Sequence, residues 1–181
     1  LWYRAHPMPP WLPQLIASAA VIFIVLHICL GGAAYLILRG LKTYYLRYRR
    51  HSETALTIAQ FLHTHPKVER VYYPGLADDP GHSLATDQMD CCGAVLSFDL
   101  KADEQETRHF IDALELFATT ASIGSTESLV APAKLYFAQD LSAEEIILAG
   151  ISNSTVRLSV GIEHPDDLIG DLEQAFSKVF S

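Results

Sequence analysis

The first fifty residues of this chain contain no aspartate and no glutamate. Six of the thirteen Lys and Arg residues lie there: Arg4, Arg39, Lys42, Arg47, Arg49 and Arg50. Residues 51–181 hold the other seven against all twenty-one acids, a balance of −14. A body so acidic disfavours nucleic acid as a partner. Cysteine is scarce too, with only Cys29 and the vicinal Cys91-Cys92. These form no spaced ligand set and no disulfide framework, so they read as reduced thiols. Lysine occurs five times, at Lys42, Lys67, Lys101, Lys134 and Lys178.

Several chemical motifs are missing. Gly31-Gly32 lacks the downstream Gly-Lys-Ser/Thr of a phosphate loop. Ser125 and Ser128 lack a Gly-x-Ser-x-Gly elbow, which removes support for a hydrolase triad. His63-x-His65 precedes Pro66 at a helix end without further ligands, so it reads as a surface pair and no metal site is expected. Asn153-Ser154-Thr155 is a glycosylation sequon in form alone. No internal repeat or low-complexity tract is visible.

What the front segment does contain is a long, mostly apolar run. Leu15 to Leu38 is twenty-four residues without a charge, broken only by Ser18, His27 and Gly31-Gly32. That length is enough to span a bilayer. Trp11 stands before it and the cations from Arg39 to Arg50 follow it, so the positive-inside rule would place the body in the cytoplasm. Three readings stay open for this run: a membrane attachment through residues 15–38, a non-native sequence fused upstream, or a helix buried against a partner. A cleaved secretory signal is disfavoured, because the charges follow the run and no small-x-small site precedes the body. Residues 1–33 are accordingly set apart from a body at 34–181.

In the body, apolar positions at Leu38, Leu41, Tyr45, Tyr48, Ala55, Ile58, Ala59 and Leu62 predict one long helix over 34–64, stopped by Pro66. Strands are expected near Val68–Tyr73, Gly93–Leu100, Phe117–Ser122 and Thr155–Val160. Asp103-x-x-Glu106 and Ser142-x-x-Glu145 read as capping patterns that open helices, the second ending at Gly150. His164-Pro165-Asp166-Asp167 opens the last helix, whose buried stripe is Leu168, Leu172, Phe176 and Phe180. The implied fold class is α+β, a small, largely antiparallel sheet with helices packed on one face.

One strand carries a candidate binding residue. Val156, Leu158 and Val160 alternate with Arg157 and Ser159, so the aliphatic face is buried and the guanidinium leaves the other side. A planar guanidinium grips a carboxylate bidentately. Spacing alone equally allows a solvated strand arginine.

Collinear motifs then narrow the choice. Leu38-Arg39-Gly40-Leu41-Lys42-Thr43, Val71-Tyr72-Tyr73-Pro74-Gly75-Leu76, Pro80-Gly81-His82, Leu96-Ser97-Phe98, Ser122-Ile123-Gly124, Glu127-Ser128-Leu129 and Val156 to Glu163 occur in order. From about Ala34 to the end, this resembles the C-terminal domain of the Cys/Met-metabolism family of pyridoxal-phosphate enzymes. These are the cystathionine γ-synthases, cystathionine lyases, methionine γ-lyases and O-acylhomoserine sulfhydrylases, lyases and transferases of transsulfuration. The resemblance implies pyridoxal 5'-phosphate as cofactor, a homo-oligomer, and substrates such as cystathionine, homocysteine or O-acylhomoserine. It implies that Arg157 binds the substrate α-carboxylate and that Ser122 stands beside the cofactor-bearing lysine. Gly124, Glu127, Ser128 and Leu129 match a turn and helix start with a structural role.

The chain departs from the family in three places. Ala121 stands where γ-acting members often have glutamate. The loop that commonly reads Pro-Ala-x-Met-Thr-His is Pro132-Ala133-Lys134-Leu135-Tyr136-Phe137. No lysine sits in the family's Ser-x-Thr-Lys setting, since the large domain that carries it has no counterpart in these 181 residues. The sequence does not open on methionine, so the expectation is of an incomplete chain with no catalytic residue of its own. Two classes remain: the substrate half of a transsulfuration enzyme, or a non-catalytic module of the same fold.

Overall fold

Alternation of aliphatic and polar side chains builds the two strands at the heart of the sheet, Val95–Leu100 and Thr155–Ser159. The structure, a computed structural model, describes residue 9 and residues 11–180. The chain divides into two compact units, one ending at Tyr45 and the other beginning at Leu46.

The first unit contains α1 (Leu12–Leu41), a run of Leu, Ile, Ala and Val with large apolar side chains exposed along its whole length. The single long helix expected over 34–64 is two helices, because α1 ends at Leu41 and α2 runs from Tyr44 to Thr64. The cause is local: the N–H and the hydroxyl of Thr43 both donate to the Gly40 carbonyl, at 3.3 and 3.4 Å, a tightened i−3 pattern that replaces the α-helical one.

In the second unit α2 buries Ala55, Ile58, Ala59 and Leu62. The remaining elements are β1 (Val68–Tyr72), α3 (His82–Gln88), β2 (Val95–Leu100), α4 (Glu104–Ala113), β3 (Ala118–Thr119), β4 (Leu129–Pro132), α5 (Ala133–Phe137), α6 (Ala143–Leu148), β5 (Thr155–Ser159) and α7 (Pro165–Phe180). The sheet order is β1-β2-β5-β4-β3, antiparallel except for the β3–β4 pair. The α+β expectation holds: one face of the sheet presents Val71, Leu96, Phe98, Leu100, Val130, Val156 and Leu158 to a core shared with α2, α4 and α7. Phe110 and Phe176 meet in that core at 4.6 Å between ring centroids. Fully burying each such ring is worth about 1.5–3 kcal/mol.

Both expected caps form. Asp103 and Glu106 exchange side chain and backbone reciprocally to open α4, and Ser142 and Glu145 do so for α6. Leu129, expected at a helix start, instead opens strand β4, because Leu129, Val130 and Ala131 pair with Ser159, Leu158 and Arg157, and Ser128 lies in the loop just before it. The strand near Phe117–Ser122 shrinks to Ala118–Thr119.

Candidate functional site

Arg157 sits mid-β5, flanked by Ser97 of β2 and Ala131 of β4. Val156 and Leu158 on either side are fully buried, so the pleat sends the guanidinium out of the face away from the core. Its Nη1 donates to the Ser122 carbonyl at 3.3 Å, and its Cζ lies 4.7 Å from the centre of the Phe137 ring. Partial burial lowers its pKa from the ordinary value. It stays a cation at any physiological pH, with five N–H donors in a fork. Tyr72, Ser97, Ala133, Phe137 and Gly150 surround it in a cleft of about 330 Å³.

The acid nearest in register is otherwise engaged. Asp99, on the same face, accepts the Tyr72 hydroxyl at 2.7 Å, the Ser152 hydroxyl at 3.4 Å and the Thr155 hydroxyl. Partial burial, then the hydrogen bond and charge of Asp99, push the Tyr72 phenol up to about 12. Among the described residues, no carboxylate pairs with Arg157, and the Ser122 carbonyl is its one hydrogen-bond acceptor. A cation in a cleft with unspent donors has the chemistry to accept an external carboxylate.

The β3–β4 connection that brings Ser122 here is exposed from Ala121 to Gly124. Gly124 takes φ +80°, a left-handed conformation that glycine adopts without penalty. Ser122 meets Arg157 through its carbonyl, while Ala121 lies beside it in the loop. Glu127 turns away to accept the Ser125 hydroxyl, which holds its carboxyl below the usual range. Ser128 is fully buried and acts as a lock: its N–H and hydroxyl donate to the two Glu163 carboxylate oxygens at 2.7 and 2.9 Å, and its Oγ accepts the Gly161 N–H at 2.8 Å. Gly161 is required there, since a Cβ would collide with the Thr126 carbonyl oxygen and the Glu163 carboxylate. The structure thus joins Arg157 to Ser122 and places Glu127 and Ser128 in loop architecture.

Tyr72, Phe137 and Asp99 are neighbours that sequence reasoning missed. Alternation from Val71 was the available signal for Tyr72; no local pattern brings Phe137 over Arg157.

A larger cavity of about 420 Å³ lies by α4, β3 and α5, but its cations are spent. Arg108 pairs with Glu104 at 2.7 Å and Lys134 donates to Asn153 at 2.6 Å. His63 and His65 diverge, His63 to Asp78 and His65 onto the Phe176 ring, and no metal-holding cluster occurs among the described residues.

The cofactor implied by the resemblance needs an amine and a phosphate cradle. Lys67 lies over the Phe180 ring, Lys101 donates to the Pro66 carbonyl, Lys178 pairs with Glu115, and none of these, nor Lys134, lines the Arg157 cleft. Lys42 belongs to the first unit. The residues present therefore fit a substrate carboxylate and do not fit covalent attachment of the cofactor.

The family model of Cys/Met metabolism PLP-dependent enzymes matches residues 28–177. L-methionine gamma-lyase of Fusobacterium nucleatum subsp. nucleatum is 44% identical over 146 residues, 81% of this chain and 37% of the relative. Cystathionine beta-lyase of Coxiella burnetii is 46% identical over 143 residues, 78% of this chain and 37% of the relative. The crystal structure of cystathionine gamma synthase from Xanthomonas oryzae pv. oryzae in complex with cystathionine superposes with a TM-score of 0.77 at 43% identity, over 81% of this chain and 38% of that one. The chain belongs to the Cys/Met metabolism family of pyridoxal-phosphate-dependent enzymes, and it spans little more than a third of the length of these curated relatives.

Proposed function

We propose that residues 46–181 are the substrate-carboxylate half of a pyridoxal-phosphate enzyme of sulfur amino-acid metabolism, completed by polypeptide outside this chain. The observation that carries this reading is Arg157: a half-buried guanidinium in a cleft, steadied by Phe137 and the Ser122 carbonyl, without a carboxylate partner among the described residues. The cleft would take the α-carboxylate of a cystathionine, homocysteine or O-acylhomoserine type substrate. Ser122 would border the cofactor-bearing lysine of the completing polypeptide. Ile123, Phe137 and Leu148, in the segments that bound the cleft, leave apolar surface exposed for that polypeptide to cover, in a homo-oligomer of the completed form. A non-catalytic module of the same fold is the second reading, favoured by the lack of a lysine at the cleft.

The test is a chimera in which residues 46–181 follow the large domain of a related enzyme. Arg157→Ala should raise KM for the amino-acid substrate by a factor of about thirty to a thousand, roughly 2–4 kcal/mol for a charge-assisted bidentate contact. Arg157→Lys should recover only part of this, because an ammonium has no fork. Denaturation midpoints of the two variants should stay close to the parent's, since no core volume is lost. A KM indifferent to Arg157→Ala would return the residue to the status of a solvated strand arginine.

A further inference from the structure

We propose that α1 spans a lipid bilayer and tethers the second unit to the cytoplasmic, anionic face of a membrane; residues 28–41 of this helix also fall within the family match. Gln14–Leu41 is 28 helical residues, and its 18-residue apolar window has a mean hydropathy of 2.5 with no residue buried. At 1.5 Å per residue the uncharged stretch from Leu15 to Leu38 is about 36 Å long, against a hydrocarbon core of about 30 Å. The apolar character covers every side of the helix. Val21, Ile22, Phe23, Ile24, Val25, Leu26 and Ile28 fill more than two consecutive turns with large apolar side chains, each more than half exposed. A helix docked on a protein keeps a polar face toward water, and this one has none over that interval.

One nitrogen of the polar ring inside the span has a partner within its own helix: His27 Nδ1 lies 2.8 Å from the Phe23 carbonyl oxygen, and the His27 ring packs at 3.9 Å on the Phe23 ring. That is how a polar group is accommodated where no water is present. The two ends match an interface. Trp11 is exposed at the start, and Tyr44 and Tyr45 are exposed past the end, where amphipathic rings settle at headgroup level. Charge completes the assignment. No acid occurs in residues 1–50, whereas Arg39 and Lys42 close the helix and Arg47, Arg49 and Arg50 follow. Arg49 shares its charge with Glu53 at 3.6 Å, an exposed pair. Cations on one side of a span stay on the cytoplasmic side and meet anionic lipid there.

The experiment translates the full chain in the presence of vesicles containing one quarter anionic phospholipid, and floats them through a density gradient after alkaline carbonate wash. The full-length chain, its mass unchanged, should float. Leu26→Arg should stay at the bottom of the gradient. A membrane-impermeant maleimide should modify Cys91 and Cys92 on the outer, translation side, and should reach Cys29 only after detergent is added. Extraction of the intact chain by carbonate would overturn the proposal, as would a chain shortened at its front, which marks a cleaved leader. A lipid-free soluble oligomer, in which a second copy covers α1, would overturn it equally.

Discussion

Arg157 and Asp99 leave the same face of neighbouring strands and are held by different groups: an aromatic ring and a carbonyl for the first, three hydroxyls for the second. That separation keeps the cation available, and it makes the Tyr72 phenol a reporter of the cleft. Its pKa, pushed up to about 12, exceeds the ordinary value of 10, so the folded state keeps the proton longer than the unfolded one. The resulting stability is complete below about pH 10 and is lost as pH rises through about 12. Tyr73, fully buried against the Gly93 carbonyl, is pushed up by burial and adds a slope of the same sign. Tyr72→Phe should therefore flatten, without abolishing, the fall of denaturation midpoints between about pH 10 and 12, and should remove one phenol from the ultraviolet titration near the upper end. An unchanged slope would show that the Tyr72 phenol is not raised in the folded state. Arg157 itself was legible in the sequence because strand alternation fixes its side. Tyr72 was not, since its approach depends on β1 pairing with β2 in one register, Tyr72 opposite Ser97.

Among the elements, the connection from β3 to β4 decides where Ser122 stands, and Ser128 pins it. Ser128→Ala removes the hydroxyl that bridges Glu163 and Gly161, leaving the buried Gly161 N–H unpaired. The expected cost is about 1–3 kcal/mol, read as a lower denaturant midpoint at unchanged slope. In the chimera the same variant should raise KM, because the carbonyl that steadies Arg157 loses its support. A normal KM together with lowered stability would confine the lock to folding. Helices with capping boxes or a strong apolar stripe, α4 and α7, were readable at the level of single residues. Strand β4 was hidden: Leu129-Val130-Ala131-Pro132 is too short to alternate visibly and ends on a proline, so only its two partners define it. The break after Leu41 was hidden as well, since apolar spacing runs through it and the interruption comes from the Thr43 side chain and N–H on the Gly40 carbonyl.

For the whole molecule, the balance between what the chain holds and what it lacks gives a direct expectation. Mixed with pyridoxal phosphate and reduced with borohydride, the full chain should show no single lysine modified to near one cofactor per chain, because all four lysines of the second unit lie away from the Arg157 cleft. Mass spectrometry of the digest reads this out, and one stoichiometric lysine adduct would refute it. Sheet order carries a separate consequence for how such a molecule is made. Among the described residues β5 is the last strand along the chain, yet it lies between β2 and β4 and joins the β1–β2 pair to the β4–β3 pair. During synthesis those two ribbons must wait, each with an unpaired flank, until the final strand arrives to zip them together. A message cut short before Thr155 would thus release two sticky half-sheets in place of a weakened domain, and the cell would meet it as an aggregation and proteolysis problem.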